Sequence, residues 1–214
     1  MNSGKTAVVA GATGLIGKHL VELLLRDERY ARVVALVRKP LELTHAKLEQ
    51  RVTDFKTLAE QPLVCDHAFC CLGTTIRKVK TKDAFREVDF TYPLNLAKAA
   101  RAGGATCFVL VSALGADARA SVFYNRVKGE AEEAIKQIGF QALHILQPSL
   151  LLGPRQEYRS GEAAAKWFFK VFDFLIPQKY KAIESAKVAR AALEYANSIS
   201  HGTVVHPSAE MQSA

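Results

Sequence analysis

Tyr124-Asn-Arg-Val-Lys128 sets a phenol and an ammonium four residues apart. On a helix those positions share a face, so the cation would sit beside the phenol. A neighbouring cation draws a tyrosine pKa, ordinarily about 10, toward a range useful for proton transfer to a carbonyl oxygen. Of the six tyrosines only Tyr124 has lysine at that spacing, although a lysine-rich chain can produce one such pair by chance. Ser112 precedes it by a short polar stretch and ends the apolar run Thr106–Val111. At the C-terminal end of a central strand, where open α/β sheets bind their ligands, its hydroxyl could donate to the same oxygen; a helix cap or turn residue is the bland alternative.

A second constellation lies near the start of the chain. The apolar Thr6-Ala-Val-Val-Ala10 gives way to Gly11-Ala-Thr-Gly-Leu-Ile-Gly17 and then to Lys18-His-Leu-Val-Glu-Leu-Leu-Leu25. That succession predicts strand, tight turn and helix. Unpaired N–H groups and the positive end of the helix dipole favour an anion there, and glycine lets it approach, so a pyrophosphate is the expected guest. The spacing is GxxGxxG rather than GxGxxG, which leaves the decision to the strand and helix on either side. Gly4-Lys5-Thr6 resembles the tail of a P-loop but lacks the glycine and strand that loop needs ahead of it. About 20 residues on, where an NAD site carries an acidic residue, stands Arg38-Lys39 with no carboxylate. Two cations suit a 2′-phosphate, so NADP(H) is expected ahead of NAD, with a plain solvated basic turn as the alternative.

These residues need a scaffold, and the rest of the chain supplies its pattern. Buried-strand runs are expected at Arg32–Val37, more weakly at Gln50–Thr53, then at Leu63–Leu72, Thr106–Val111 and Ala142–Leu146. Helices are expected between them, including Lys82–Ala102, where Pro93 predicts a kink or a late start, and Phe123–Gly139, with Gly139 as a C-cap. Strand and helix in alternation predict an α/β fold, a doubly wound parallel sheet in a single domain over residues 1–214. Regularity weakens after Gly153-Pro154. Residues 154–202 read as a substrate-side helical extension, with helices at Glu162–Ile176 and Glu184–Asn197 and a last short strand at Thr203–Val205. The aromatic segment Trp167–Ile176 suits a core helix, a pocket wall or lid, or a protein or membrane contact.

Composition excludes several classes. Apolar residues make up 49% of the chain and charged ones 23%, as in an ordinary globular protein. No run is long enough for a membrane span and no apolar signal segment opens the chain, so a cytoplasmic address is expected without membrane contact. The four cysteines, Cys65, Cys70, Cys71 and Cys107, read as small buried hydrophobes. The six histidines show no metal-ligand spacing, so no metal is expected. The formal charge of +8 includes the run Arg77-Lys78-Val-Lys80-Thr-Lys82. A solvated loop is the simplest account of that run and attraction of an anionic ligand the next; without a nucleic-acid-binding motif, no nucleic acid is expected.

Several of these motifs together resemble the short-chain dehydrogenase/reductases, in their atypical branch, and within it the Tat-interacting-protein-like NADPH-binding group. The resemblance rests on Gly11–Gly17, Val37-Arg38, Cys71-Leu-Gly-Thr-Thr75, Val111-Ser112-Ala, Tyr124-xxx-Lys128 and Gln147-Pro148-Ser-Leu-Leu-Leu-Gly153-Pro154, in family order. It implies a Rossmann core in which Gly11, Thr13, Gly14, Leu15 and Ile16 hold the pyrophosphate and Arg38 the 2′-phosphate. It further implies that Asp54 and Phe55 border the adenine, Leu72, Gly73 and Thr74 line the ribose side, and the backbone from Pro148 to Leu150 packs the nicotinamide. Tyr124 would be the general acid/base, Lys128 would also bind the nicotinamide ribose, and Ser112 would polarise a carbonyl. Two departures stand out: Asp89 replaces the usual Asn of a proton relay, and Gln147-Pro148 replaces Arg-Pro. The resemblance leaves two functions open, an NADPH-dependent reductase of a small carbonyl-like substrate and an NADPH-binding regulator acting through a protein partner, as monomer or homodimer.

Overall fold

The structure is a computed structural model and describes residues 4–152 and 181–213. Seven parallel strands form one sheet: β1 (Lys5–Ala10), β2 (Tyr30–Val37), β3 (Leu48–Val52), β4 (His67–Cys70), β5 (Cys107–Val111), β6 (Ala142–Gln147) and β9 (Gly202–Pro207). Their order is β3-β2-β1-β4-β5-β6-β9. All six pairings are parallel. The chain winds outward from β1 in one direction and from β4 in the other, so a crevice opens beyond the C-terminal ends of those two strands. Two short strands, β7 (Leu151–Leu152) and β8 (Ile183–Glu184), pair separately. This is the expected doubly wound Rossmann architecture.

Strand alternation divides the core in two. Ala7, Val9, Val33, Ala35 and Val109 face one layer, where α1 (Leu15–Arg26) lies with α6 (Ser185–Ala196). Val8, Ala10, Val34, Leu36, Ala68 and Leu110 face the other, against α4 (Tyr92–Ala102) and α5 (Phe123–Lys136). Leu20 and Leu24 of α1 are fully buried, each contributing about 1.5–3 kcal/mol. Small residues on α6, among them Ala189 and Ala192, let it approach α1 closely. The described part of the 154–202 stretch is thus built into the core. The aromatic segment Trp167–Ile176 and the helix expected at Glu162–Ile176 lie outside the described residues.

Several expected elements differ in extent. Helix α5 ends at Lys136 with Gln137 as its C-cap, two residues before the Gly139 expected there, because the Ile138 N–H bonds to the Ile135 carbonyl, only three residues back, at 3.1 Å. The fourth strand begins at His67 rather than Leu63, because the Leu63 N–H is spent on the carbonyl of Ala99 at 2.9 Å instead of on a strand. The expected Lys82–Ala102 helix comprises α3 (Lys82–Arg86), a π-helical turn at Glu87–Thr91 and α4. Proline lacks an N–H and crowds the carbonyl four residues earlier, which for Pro93 belongs to Asp89. The widened turn accommodates that crowding. It also carries Asp89, which is 1% exposed, to the inner side of the helix. A four-residue helix, α2 (Ile76–Val79), precedes α3, and α7 (Ser208–Met211) closes the described chain.

Candidate active site

The turn between β1 and α1 has the close contacts that its glycines predict. Gly11 takes φ +85°, and a Cβ there would lie 2.4 Å from the Cys71 carbonyl oxygen. A Cβ on Gly17 would lie 2.1 Å from the carbonyl oxygen of Gly11. The turn therefore packs against the end of β4 on one side and against α1 on the other, at distances only glycine permits. The Gly14 N–H closes the turn onto Gly11 O at 2.9 Å. Gly14 is the N-cap of α1, no side chain caps the helix, and its first turn carries no acidic residue. Thr13 is exposed, Leu15 half-buried and Ile16 buried in the core.

Around this turn the other expected nucleotide residues fall at the same end of the sheet. Arg38 and Lys39 directly follow β2, are exposed and make no hydrogen bond or ion pair with the described residues. Asp54 is exposed and accepts the Lys56 N–H at 2.9 Å. Phe55 is buried and stacks on Tyr92, with ring centroids 5.6 Å apart. Asn95 pins this segment by donating to the carbonyls of Phe55 and Lys56 at 3.0 and 2.9 Å. Leu72, Gly73 and Thr74 follow β4, while Pro148 is buried beyond β6 and accepts the Leu114 N–H at 2.9 Å. Leu150 is 43% exposed.

Of the catalytic candidates, Lys128 lies beneath Gly73. Lys128 is buried on α5, and its Nζ lies 2.8 Å from Asp89 Oδ1 in an ion pair whose side chains are 6% and 0% exposed. The approach to Oδ1 lies off the hydrogen-bonding direction, whereas Oδ2 accepts the Thr74 N–H at 2.9 Å. Burial opposes the lysine's charge; the carboxylate and the Tyr124 phenol more than offset it, and the ammonium is held above its ordinary pKa. A Cβ on Gly73 would lie 3.6 Å from Asp89 Oδ1 and 3.7 Å from Lys128 Nζ. The loop after β4 thus lies directly over the ion pair. Tyr124, half-buried, packs its ring on Phe85 at 5.5 Å.

Ser112 ends β5 but its hydroxyl does not stand free. It is buried and donates to Glu132 Oε1, while Gln147 Nε2 reaches both carboxylate oxygens, at 3.0 and 3.1 Å. Burial raises the Glu132 pKa, and the bonds from Ser112 and Gln147 pull it back by less. Sequence reasoning missed Glu132. The signal was present in Tyr124-xxx-Lys128-xxx-Glu132, three polar groups at fourfold spacing on one helix face.

A family model described as NAD(P)H-binding matches residues 11–198. The chain belongs to the NAD(P)H-binding family. Within it, Rattus norvegicus Protein HTATIP2 is 39% identical over 171 residues, which is 77% of this chain and 70% of the relative. The Emericella nidulans protein fmp52, mitochondrial, is 31% identical over 170 residues, covering 74% of this chain and 72% of the relative. Among solved structures, the Bordetella bronchiseptica enzyme WbmH in complex with NAD+ matches 95% of this chain and 76% of its own, with a TM-score of 0.70 and 18% identity. That likeness shows the fold.

The fungal relative's name corrects the expected cytoplasmic address, because it places a close family member in mitochondria. The expectation rested on the absence of long apolar runs, which report membrane spans and secretory signals; mitochondrial targeting uses amphipathic, Arg-rich segments to which that criterion is blind. Among the described residues of this NAD(P)H-binding protein, no helix is long and apolar enough to cross a membrane.

Proposed function

We propose that the protein is an NADP(H)-dependent oxidoreductase of the atypical short-chain type that reduces a carbonyl-like small molecule. The observation that carries this reading is the enclosed Lys128 ammonium, paired with Asp89 and one helical turn from Tyr124, at the same end of the sheet as the glycine turn. The residues present fit the dinucleotide. The uncapped first turn of α1 suits a pyrophosphate, Arg38 and Lys39, unpaired among the described residues, suit a 2′-phosphate, and Lys128 below Gly73 suits ribose hydroxyls. When bound, the nicotinamide supplies a hydride to the carbonyl carbon.

This chain's own side chains manage the proton. Tyr124 gives its phenolic proton to the carbonyl oxygen as that oxygen gains charge, and water returns a proton to the phenolate. Lys128 holds a positive charge one helical turn from Tyr124, and Asp89 keeps the ammonium in place. Ser112 contributes a hydrogen bond to the same oxygen whenever its hydroxyl faces outward. The test is NADPH consumption over a panel of aldehydes and ketones. Tyr124→Phe is expected to lower kcat by about 10²–10⁴; unchanged turnover in the variant contradicts the mechanism.

A second reading, a nucleotide-binding regulator that acts through a protein partner, draws support from one observation: the Ser112 hydroxyl is spent on Glu132. It predicts partners that change with NADPH in affinity capture, together with no turnover across the panel.

A further inference from the structure

Ser112 has one hydroxyl proton, and the Glu132 carboxyl takes it at the end of β5 where the proposed reaction needs it elsewhere. We infer that Glu132 is a positioning residue that sets which way the Ser112 hydroxyl points, releasing it toward the substrate oxygen only when the carboxyl carries a proton. The inference rests on the reductase reading for its consequence in turnover, but not for the coupling between the two side chains.

The geometry allows two arrangements of the same atoms. With Glu132 ionised, both carboxylate oxygens are acceptors; Ser112 and Gln147 both donate inward, and Ser112 has only lone pairs left for a substrate. With Glu132 protonated, the Gln147 amide still donates to one oxygen while the acid O–H donates to Ser112 Oγ. The serine proton is then free. Glu132 is 4% exposed and its contacts from β5 and β6, Ser112 and Gln147, are both neutral. Among the described residues, the charged groups acting on it stand on its own helix: Lys136 and Glu133, which pair with each other at 2.6 Å. Lys128, one turn earlier on α5, directs its ammonium to Asp89. Burial thus favours the protonated acid, the form that frees Ser112.

Glutamine at position 132 reproduces the protonated state, since its amide donates to Ser112 Oγ and its carbonyl accepts from Gln147. The experiment joins carboxyl ¹³C NMR titration of the labelled full-length protein, with the Glu132 signal assigned by its loss in Glu132→Gln, to the pH profile of NADPH-dependent carbonyl reduction. Glu132 is expected to titrate above the exposed glutamates, and Ser112→Ala, which removes a donor to the carboxylate, to move it higher. In the wild type kcat is expected to fall about tenfold per pH unit above that titration; Glu132→Gln removes this limb and keeps the low-pH rate. Titration of Glu132 with the exposed glutamates, a Glu132 signal indifferent to Ser112→Ala, or a limb that persists in Glu132→Gln overturns the inference. Coupled titration in a protein that turns over no carbonyl supports the link between the side chains and defeats the reductase reading alone.

Discussion

Lys128 holds its charge with only 6% of its side chain exposed, and Asp89 is the group that makes this tolerable. Removing one partner of a buried pair leaves the other charge uncompensated, which costs about 3–5 kcal/mol. Asp89→Ala is therefore expected to lower stability by about that amount in urea unfolding, and a further Lys128→Met change to recover part of it. Equal stability of Asp89→Ala and wild type would show that the pair is not enclosed. At this scale the sequence was informative where chemistry imposes spacing. Tyr124 and Lys128 stand one helical turn apart on α5, and Asp89 was visible as a departure from a family pattern. The Asp89–Lys128 pair itself was not legible, because the two positions are 39 residues apart and meet only through a π-helical turn. Glu132 was hidden for another reason: a glutamate on a helix usually faces solvent, and only the strands β5 and β6 behind it turn this one into a buried group.

Among the elements, the β1–α1 turn has the least freedom. Gly17 lies so close to the Gly11 carbonyl that even one methyl must push α1 away from the turn. Gly17→Ala is expected to cost about 3 kcal/mol, seen as a lowered Tm, and to weaken dinucleotide binding along with it. Normal stability with normal binding would mean the turn relaxes freely. Strands β1, β2, β5 and β6 were legible because continuous apolar runs bounded by polar or breaker residues mark buried parallel strands. The later start of β4 was not, since Leu63 and Cys65 are as buried as strand residues while the Leu63 N–H bonds to the Ala99 carbonyl. Pro93 announced an irregularity in its helix; the π-helical form that irregularity takes depends on packing against α5.

For the molecule as a whole, buried imidazoles set the acid limit. Burial pushes His67 and His144 down to about 4. His67 is packed against Tyr30, with Oη and Nδ1 2.8 Å apart, and His144 against His206 on the edge strand β9, at 3.0 Å. Each binds a proton more readily unfolded, near pH 6.5, than folded, so folding stability falls as pH drops from about 6.5 toward 4. Glu132 acts in the opposite sense. Its folded pKa is raised, so its contribution is present below the unfolded carboxyl pKa and is lost as pH rises through the folded one. Thermal unfolding between pH 4 and 8 should show the acid decline, reduced in His144→Asn; a flat profile would contradict the buried neutral state of both imidazoles.

The proposed function requires a dinucleotide lying across the β1–β4 crevice with its 2′-phosphate on Arg38. Calorimetric titration with NADPH and NADH, on wild type and Arg38→Ala, tests this directly. The expected result is tighter binding of NADPH than of NADH, with Arg38→Ala weakening NADPH by about ten- to a hundredfold and leaving NADH nearly unchanged, as the loss of one charged hydrogen-bonding partner implies. Binding of neither nucleotide, or equal affinity for both that Arg38→Ala does not alter, would contradict it.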